Sequence, residues 1–342
     1  MNSLVTLLKN ILGVLTALAI AAVAVAGSLW VQYQTFIRAP LAISGDRLVI
    51  EVPRGVGLRK VTQELVAAGV LPDPYGFLAL AHHSRKAGQI KSGEYEIRAG
   101  MTPPQLLDLL TSGKVIQHAL TLVEGWTFRQ ALAAVAADPV LSGDLGGLTG
   151  EEIMVRIGHP GEHPEGRLFP DTYLFPRGTA AIDLIRRAYA RMETVLHDEW
   201  ERRAAGLPFD TPYEALVLAS VVEKETGLAA ERLQIAGVFV RRLIQGMKLQ
   251  TDPTVIYGMG AGFDGNIRRS DLTADTPYNT YVRAGLPPTP IALPGREAIH
   301  AVLQPAPGDS LYFVARGDGS HAFSATLEEH NRAVRQYQLG GQ

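Results

Sequence analysis

The chain has 342 residues, a formal net charge of −2 and no cysteine. That length admits two domains and a sizeable core. The balanced charge offers no basic surface of the kind nucleic acid requires, and the missing thiols exclude disulfides, thiolate zinc sites and cysteine nucleophiles.

The N-terminus is the compositional outlier. Ile11 to Val31 carries no charge, follows Lys9 and includes Trp30 near its end. About 20 apolar residues suffice to span a bilayer as a helix. Residues 11–31 are read as a retained transmembrane helix rather than a cleaved signal peptide. The apolar run continues past Ala24-Val25-Ala26, the passable cleavage site, and ends at a Trp suited to the interface. The simplest signal-anchor arrangement makes residues 1–10 a cytoplasmic tail and places everything after about residue 35 outside the cytoplasm. Residues 32–46, broken by Pro40 and Ser44-Gly45, read as a linker.

Residues 47–115 follow as a small subdomain. Leu48 to Val52 reads as a strand stopped by Pro53-Arg54-Gly55, and Leu58 to Ala68 as a helix with Leu58, Val61, Leu65 and Ala68 on one face. Asp73-Pro74 starts a second helix, through Lys86, and Gly93 to Ile97 alternates as a strand. The order strand, helix, helix, strand resembles a LysM module, a small fold that binds N-acetylhexosamine glycans. Thr102-Pro103-Pro104 opens another helix.

Val52-x-x-Gly55, Ile97-x-x-Gly100 and Leu122-x-x-Gly125 echo one another, each closing a strand with a turn and opening a helix. Two readings stand: a strand–turn–helix unit reused around a shared sheet, or one turn chemistry recurring by chance.

Residues 116–342 read as a mixed α+β domain. A strand over 118–123 and a helix over 128–137 are followed by turn-rich sequence with a helix over 150–157. Residues 165–176 read as an aromatic loop, 182–203 as a long amphipathic helix, 231–245 as a further helix and 249–307 as mainly loop. A hairpin over 311–323 and a helix over 326–337 close the chain. The fold class expected is therefore α+β, with a transmembrane helix, a LysM-like βααβ subdomain and a mixed α+β domain that carries the chemistry.

The chemistry centres on Glu214 to Gly227. From Ala215 to Val222 only Ser220 is polar, and Glu223-Lys224-Glu225 follow, with Gly227 placed to cap the helix. Leu216, Ala219, Ser220 and Glu223 share a face at helical spacing, so Glu223 extends an apolar stripe. Glu225, about two residues' rotation away, is expected to reach water. A carboxyl held at the edge of a core has a raised pKa, as a general acid near neutral pH requires. The bland alternative is a solvated helix end. No nucleophile elbow, metal-ligand spacing or phosphate-binding glycine loop occurs. Neither a metal nor a cofactor is expected. The loops beyond are rich in Tyr, Asn, Thr and Pro, which suits carbohydrate. A two-carboxylate glycosidase needs a second acid, for which Asp171, Asp252, Asp271 and Asp275 are the candidates.

Several separate motifs then match a known pattern in order. They are Glu165-Gly166, Leu168-Phe-Pro-Asp-Thr-Tyr173, Ala219-Ser-Val-Val-Glu-Lys-Glu-Thr226, Leu249-Gln-Thr-Asp-Pro-Thr-Val-Ile-Tyr-Gly258, Tyr278-Asn-Thr-Tyr281, Gly285-Leu-Pro-Pro288, Pro294-Gly295 and Leu311-Tyr-Phe-Val314. The chain resembles the endolytic murein transglycosylases, the YceG-like (MltG) family, over nearly its whole length. Arg167 and Phe263-Asp264 depart from the family pattern. The resemblance implies a single-pass inner-membrane protein with a periplasmic catalytic domain. It implies cleavage of the β-1,4 MurNAc–GlcNAc bond in nascent peptidoglycan glycan strands, leaving a 1,6-anhydro end near the peptidoglycan synthases, the penicillin-binding proteins. The catalytic glutamate of that pattern falls on Glu223. Ser220, Thr251, Asp252, Tyr257, Tyr278, Asn279 and Tyr281 are the expected substrate contacts. The alternatives are a muramidase-type hydrolase using one of the aspartates, and a non-catalytic glycan-binding membrane scaffold.

Overall fold

The computed structural model describes residues 2–340. The chain divides into two compact units, Met1–His118 and Ala119–Gln342.

The first unit begins with α1 (Asn2–Arg38). Its Leu7–Arg38 portion is, among the described residues, the one helix long and apolar enough to cross a membrane. The expected linker over 32–46 is corrected: the helix runs seven residues beyond Val31. Tyr33, Phe36 and Ile37, at helical spacing, give that extension an apolar face that packs on the first unit's core. The helix stops just before Pro40, whose ring disfavours helix at the preceding residue. Gly76 allows the approach, since a Cβ there would lie 2.9 Å from the Phe36 ring.

Then come β1 (Arg47–Val52), α2 (Leu58–Ala67), α3 (Pro74–His83), β2 (Gly93–Arg98) and α4 (Pro103–Ser112). β1 and β2 pair antiparallel, with Val52 opposite Gly93. Two strands are not stable alone in water. Here they are covered through Phe77, Leu65 and Leu106, and by Tyr95, whose hydroxyl donates to the Lys91 and Leu110 carbonyls (2.8 and 3.2 Å).

The second unit contains β3 (His118–Thr121), α5 (Phe128–Ala137), α6 (Gly150–Ile157), β4 (Thr172–Phe175), α7 (Ala181–Glu201), α8 (Pro212–Glu225), α9 (Arg232–Ile244), α10 (Asp252–Met259), α11 (Arg269–Thr273), α12 (Arg296–Leu303), β5 (Tyr312–Ala315), β6 (His321–Ser324) and α13 (Leu327–Val334). α8 is its axis. Every residue from Ala215 to Val222 is buried, and α7, α9 and α12 pack around it. Thr211 and Glu214 form a capping box at its start, with Pro212 in the first turn. Its end differs from expectation. Gly227 does not cap it; Thr226 does, in an extended conformation, with both its N–H and its hydroxyl donating to the Val222 carbonyl.

Three other expectations are corrected or sharpened. Residues 165–176 include β4, which pairs with β3. Residues 249–307 are mainly loop, as expected, with three α-helices set in it. α12 is an inner helix with Ala298, Ile299, Ala301, Val302 and Leu303 buried, and α10 starts on the Asp252-Pro253 step. Their turn-rich flanks masked short helices whose stability comes from packing rather than length. The three echoed units do not share a sheet, because β1 pairs with β2 while β3 pairs with β4. What they share is turn chemistry: Gly55, Gly100 and Gly125 adopt left-handed φ values of 78, 83 and 76°.

Candidate active site

The last turn of α8 presents its two acids to different surroundings. Glu223 Oε2 accepts a hydrogen bond from the Gly295 N–H (3.0 Å). Burial raises its pKa, and the nearby Glu124 carboxylate raises it further. A Cβ at Gly295 would fall 2.0 Å from Glu124 Oε1, so any side chain there would displace the exposed Glu124 carboxylate. Glu223 is half-buried and lines none of the three clefts described below.

Glu225 faces the other way. Its carboxylate accepts a hydrogen bond from the Thr251 hydroxyl, and it lines a cavity of about 440 Å³ with Arg242, Gln250, Asp252, Tyr281 and His321. Burial is the main cause that pushes its pKa up. The Asp252 charge adds to that, whereas the Thr251 hydrogen bond and a charge on His321 oppose it. Glu225 is half-buried and faces this open cavity, so the expectation that it reaches water holds in part. A helical wheel registers only the helix's own stripe, whereas the N-terminus of α10 folds against the end of α8 and covers one side of this carboxyl.

Thr251 caps α10 and is buried, its N–H donating to the Thr280 hydroxyl (3.1 Å). Asp252 Oδ1 accepts from the Tyr281 hydroxyl (2.7 Å). Arg242 is anchored through the Leu311 and Leu249 carbonyls (2.6 and 2.7 Å), its guanidinium over the Tyr312 ring. Three expected contacts, Thr251, Asp252 and Tyr281, therefore gather around one carboxyl, and that carboxyl is Glu225.

Tyr257 and Tyr278 lie elsewhere. They meet edge to face (4.9 Å between centroids) and line a cleft of about 640 Å³ with Thr127, Arg129, Gln130 and Glu165. An adjoining hollow of about 360 Å³ shares Thr127, Gln130 and Tyr257 and adds Lys224. Glu165 is the buried acid of this second cleft. It accepts the Phe128 N–H at the start of α5 (2.7 Å) and the Tyr257 hydroxyl (3.0 Å). Burial raises its pKa.

Two expected substrate contacts are corrected. Ser220 is fully buried; its hydroxyl donates to the Val217 carbonyl (2.7 Å) and accepts from the Ile291 N–H (2.9 Å). It ties α8 to the 291 segment. Asn279 is also fully buried, its amide donating to the Asp271 and Ala274 carbonyls and accepting the Tyr281 N–H. Both side chains have their hydrogen-bonding capacity committed within the protein. Among the candidate second acids, Asp171 bonds the Thr172 N–H, Asp271 the Arg268 N–H and Asp275 pairs with Arg283. Only Asp252 shares a cavity with Glu225. No cluster of metal-ligating side chains occurs among the described residues. Sequence reasoning misses Arg242, which lies in an unremarkable context, and reads His321 as structural or capping. The cavity forms only when α9 and the β5–β6 hairpin close on α8 and α10.

An acid of raised pKa in a polar cavity flanked by tyrosines and a buried arginine can serve as a general acid toward a polar substrate. A model of the YceG-like family matches residues 50–336, and the chain belongs to that family. Among curated proteins it is 30% identical over 313 residues to the endolytic murein transglycosylase of Bacillus subtilis (strain 168), covering 84% of each chain. It is 28% identical over 334 residues to the endolytic murein transglycosylase of Streptococcus pneumoniae serotype 2 (strain D39), covering 86% of this chain and 59% of that one. Among solved structures, a YceG-like protein from Listeria monocytogenes superimposes with a TM-score of 0.51 at 28% identity, over 84% of this chain and 99% of the other.

Proposed function

We propose that this chain is an endolytic lytic transglycosylase of peptidoglycan in which Glu225, rather than Glu223, carries the proton. The glycan-cleaving class rests on the family and its named relatives. The observation that favours Glu225 is that Thr251 bonds its carboxyl while Asp252 and Tyr281, bonded to each other, line the same open polar cavity.

In this reading protonated Glu225 donates to the glycosidic oxygen as the MurNAc–GlcNAc bond breaks. The muramoyl C6 hydroxyl of the same sugar then attacks C1, giving the 1,6-anhydro end. Because the nucleophile is internal, its effective concentration is high and no water-activating carboxylate is needed. The substrate's 2-acetamido group shields the oxocarbenium-like centre in the manner of substrate-assisted glycosidases. Tyr257 and Tyr278 hold the strand further along, in the second cleft. α1 anchors the protein in the inner membrane with its N-terminus cytoplasmic, the second unit acts in the periplasm close to the peptidoglycan synthases, and the βααβ region gives glycan a second, LysM-like contact.

The deciding experiment is a pair of substitutions assayed on uncrosslinked glycan strands. Glu225→Gln should abolish cleavage with the fold intact, while Glu223→Gln keeps it within about tenfold of wild type. The reverse result would return the acid to Glu223. The sharing of one cavity by Glu225 and Asp252 favours the hydrolase as the second reading. Reducing rather than anhydro ends in the products would establish it.

A further inference from the structure

The cavity of Glu225 contains a second proton-handling group that the scheme above leaves idle. His321 opens β6 and is fixed by a single carboxylate. Its backbone N–H donates to both oxygens of Glu231 (3.0 and 3.1 Å), and its ring Nδ1 lies 2.7 Å from Glu231 Oε2. The two side chains are 14% and 13% exposed, and the Phe313 ring stands edge-on to the imidazole at 5.4 Å. A carboxylate only accepts, so the proton between them sits on Nδ1. In its neutral form the ring offers Nε2 as an acceptor, and no protein group among the described residues bonds to it.

Three other groups of the cavity have protein partners or lack an acceptor. Asp252 accepts from Tyr281 through Oδ1, Arg242 carries only donors, and Glu225 is bonded by Thr251. His330 stacks on Tyr312 with its Nδ1 enclosed. His321 is also near enough to Glu225 for a charge on the imidazole to favour the ionised carboxyl.

We infer that His321, oriented by Glu231, takes the proton from the muramoyl C6 hydroxyl during ring closure, leaving Glu225 to act as the acid alone. This rests on the reading of the Glu225 cavity as the active site. The balance is complete. The C1–O4 bond breaks with its electron pair going to O4, which receives the Glu225 proton and departs as the GlcNAc C4 hydroxyl. O6 bonds to C1 as its proton passes to His321 Nε2. The enzyme is left as a carboxylate and an imidazolium, and transfer of that proton to Glu225 restores the starting state. No net proton and no co-reactant are consumed.

The discriminating variant is His321→Asn. Its amide N–H replaces Nδ1–H toward Glu231, while nothing occupies the place of Nε2. The full-length protein in detergent micelles would be assayed on uncrosslinked glycan strands, with product ends counted by mass spectrometry and folding followed by thermal melting. Expected is a fall in kcat of about tenfold or more, a KM changed less than about threefold, and a marked rise in reducing ends as water competes for C1. Glu231→Gln should move the product ratio in the same direction by less, and it serves if the first variant unfolds. His330→Asn should leave the ratio unchanged. A slow His321→Asn enzyme that still makes only anhydro ends would overturn the inference, as would the same shift from His330→Asn. Absence of anhydro ends from the wild-type protein would remove the lytic reading itself, which is a separate result.

Discussion

The two sides of the last turn of α8 make an instructive contrast. Glu223 and Glu225 lie two residues apart on one helix, and burial raises the pKa of both. By that criterion they are equivalent. They differ in what stands opposite. Glu223 accepts the Gly295 N–H and stands near the charge of the exposed Glu124, and it lines none of the described clefts. Glu225 meets a hollow of about 440 Å³ lined by polar side chains from α9, α10, β5 and β6. A displaced pKa marks a buried carboxyl, whereas a place for the substrate marks a site.

The largest effect that would break this contrast is catalytic. Glu225→Gln should reduce cleavage by about 10²–10⁴-fold, the range for removing a general acid, while Glu223→Gln should cost less than about tenfold. Equal losses would mean the two sides act together.

Ser220 sharpens the contrast from the inside, since it braces the helix behind both acids. Ser220→Ala leaves the Ile291 N–H without its buried acceptor and should cost about 1–3 kcal/mol of stability. Denaturant titration would measure this, and kcat per folded molecule should stay near wild type.

The pH dependence separates the sides next. Glu225 must be protonated to act, so activity falls as pH rises through its raised pKa. The Asp252 charge contributes to that elevation, and Asp252→Asn should therefore move the alkaline limb of the kcat/KM profile to lower pH. A loss of about 10² at every pH would instead make Asp252 the second acid of a hydrolase.

The smallest expected effect is thermodynamic. The folded state holds the Glu225 proton more tightly than the unfolded state does. Its contribution to stability is therefore full below the unfolded carboxyl's range and declines as pH rises through the folded value. Glu225→Gln removes that decline, so the variant should gain melting temperature over wild type as pH is raised from about 5 to 8. A gap that stays constant across that range would show that the carboxyl is not buried as described.

Much of this molecule was legible from the chain itself. The uncharged N-terminal run, the Thr211–Pro212 start of α8 and its apolar body are local facts, written in propensity and period. So is the ordered set of motifs that points to the family. α10 was encoded locally too, in Thr251-Asp252-Pro253, although the surrounding turn residues obscured it. Tertiary structure alone decided which acid faces a cavity, that Ser220 and Asn279 are braces rather than contacts, and that Tyr257 and Tyr278 belong to a cleft apart from Asp252 and Tyr281. The reason is physical: periodicity states which face of a helix is apolar, but the surroundings of a side chain at the helix end are set by segments distant in sequence. His321 reaches Glu231 across 90 positions, and Thr251 reaches Glu225 across 26.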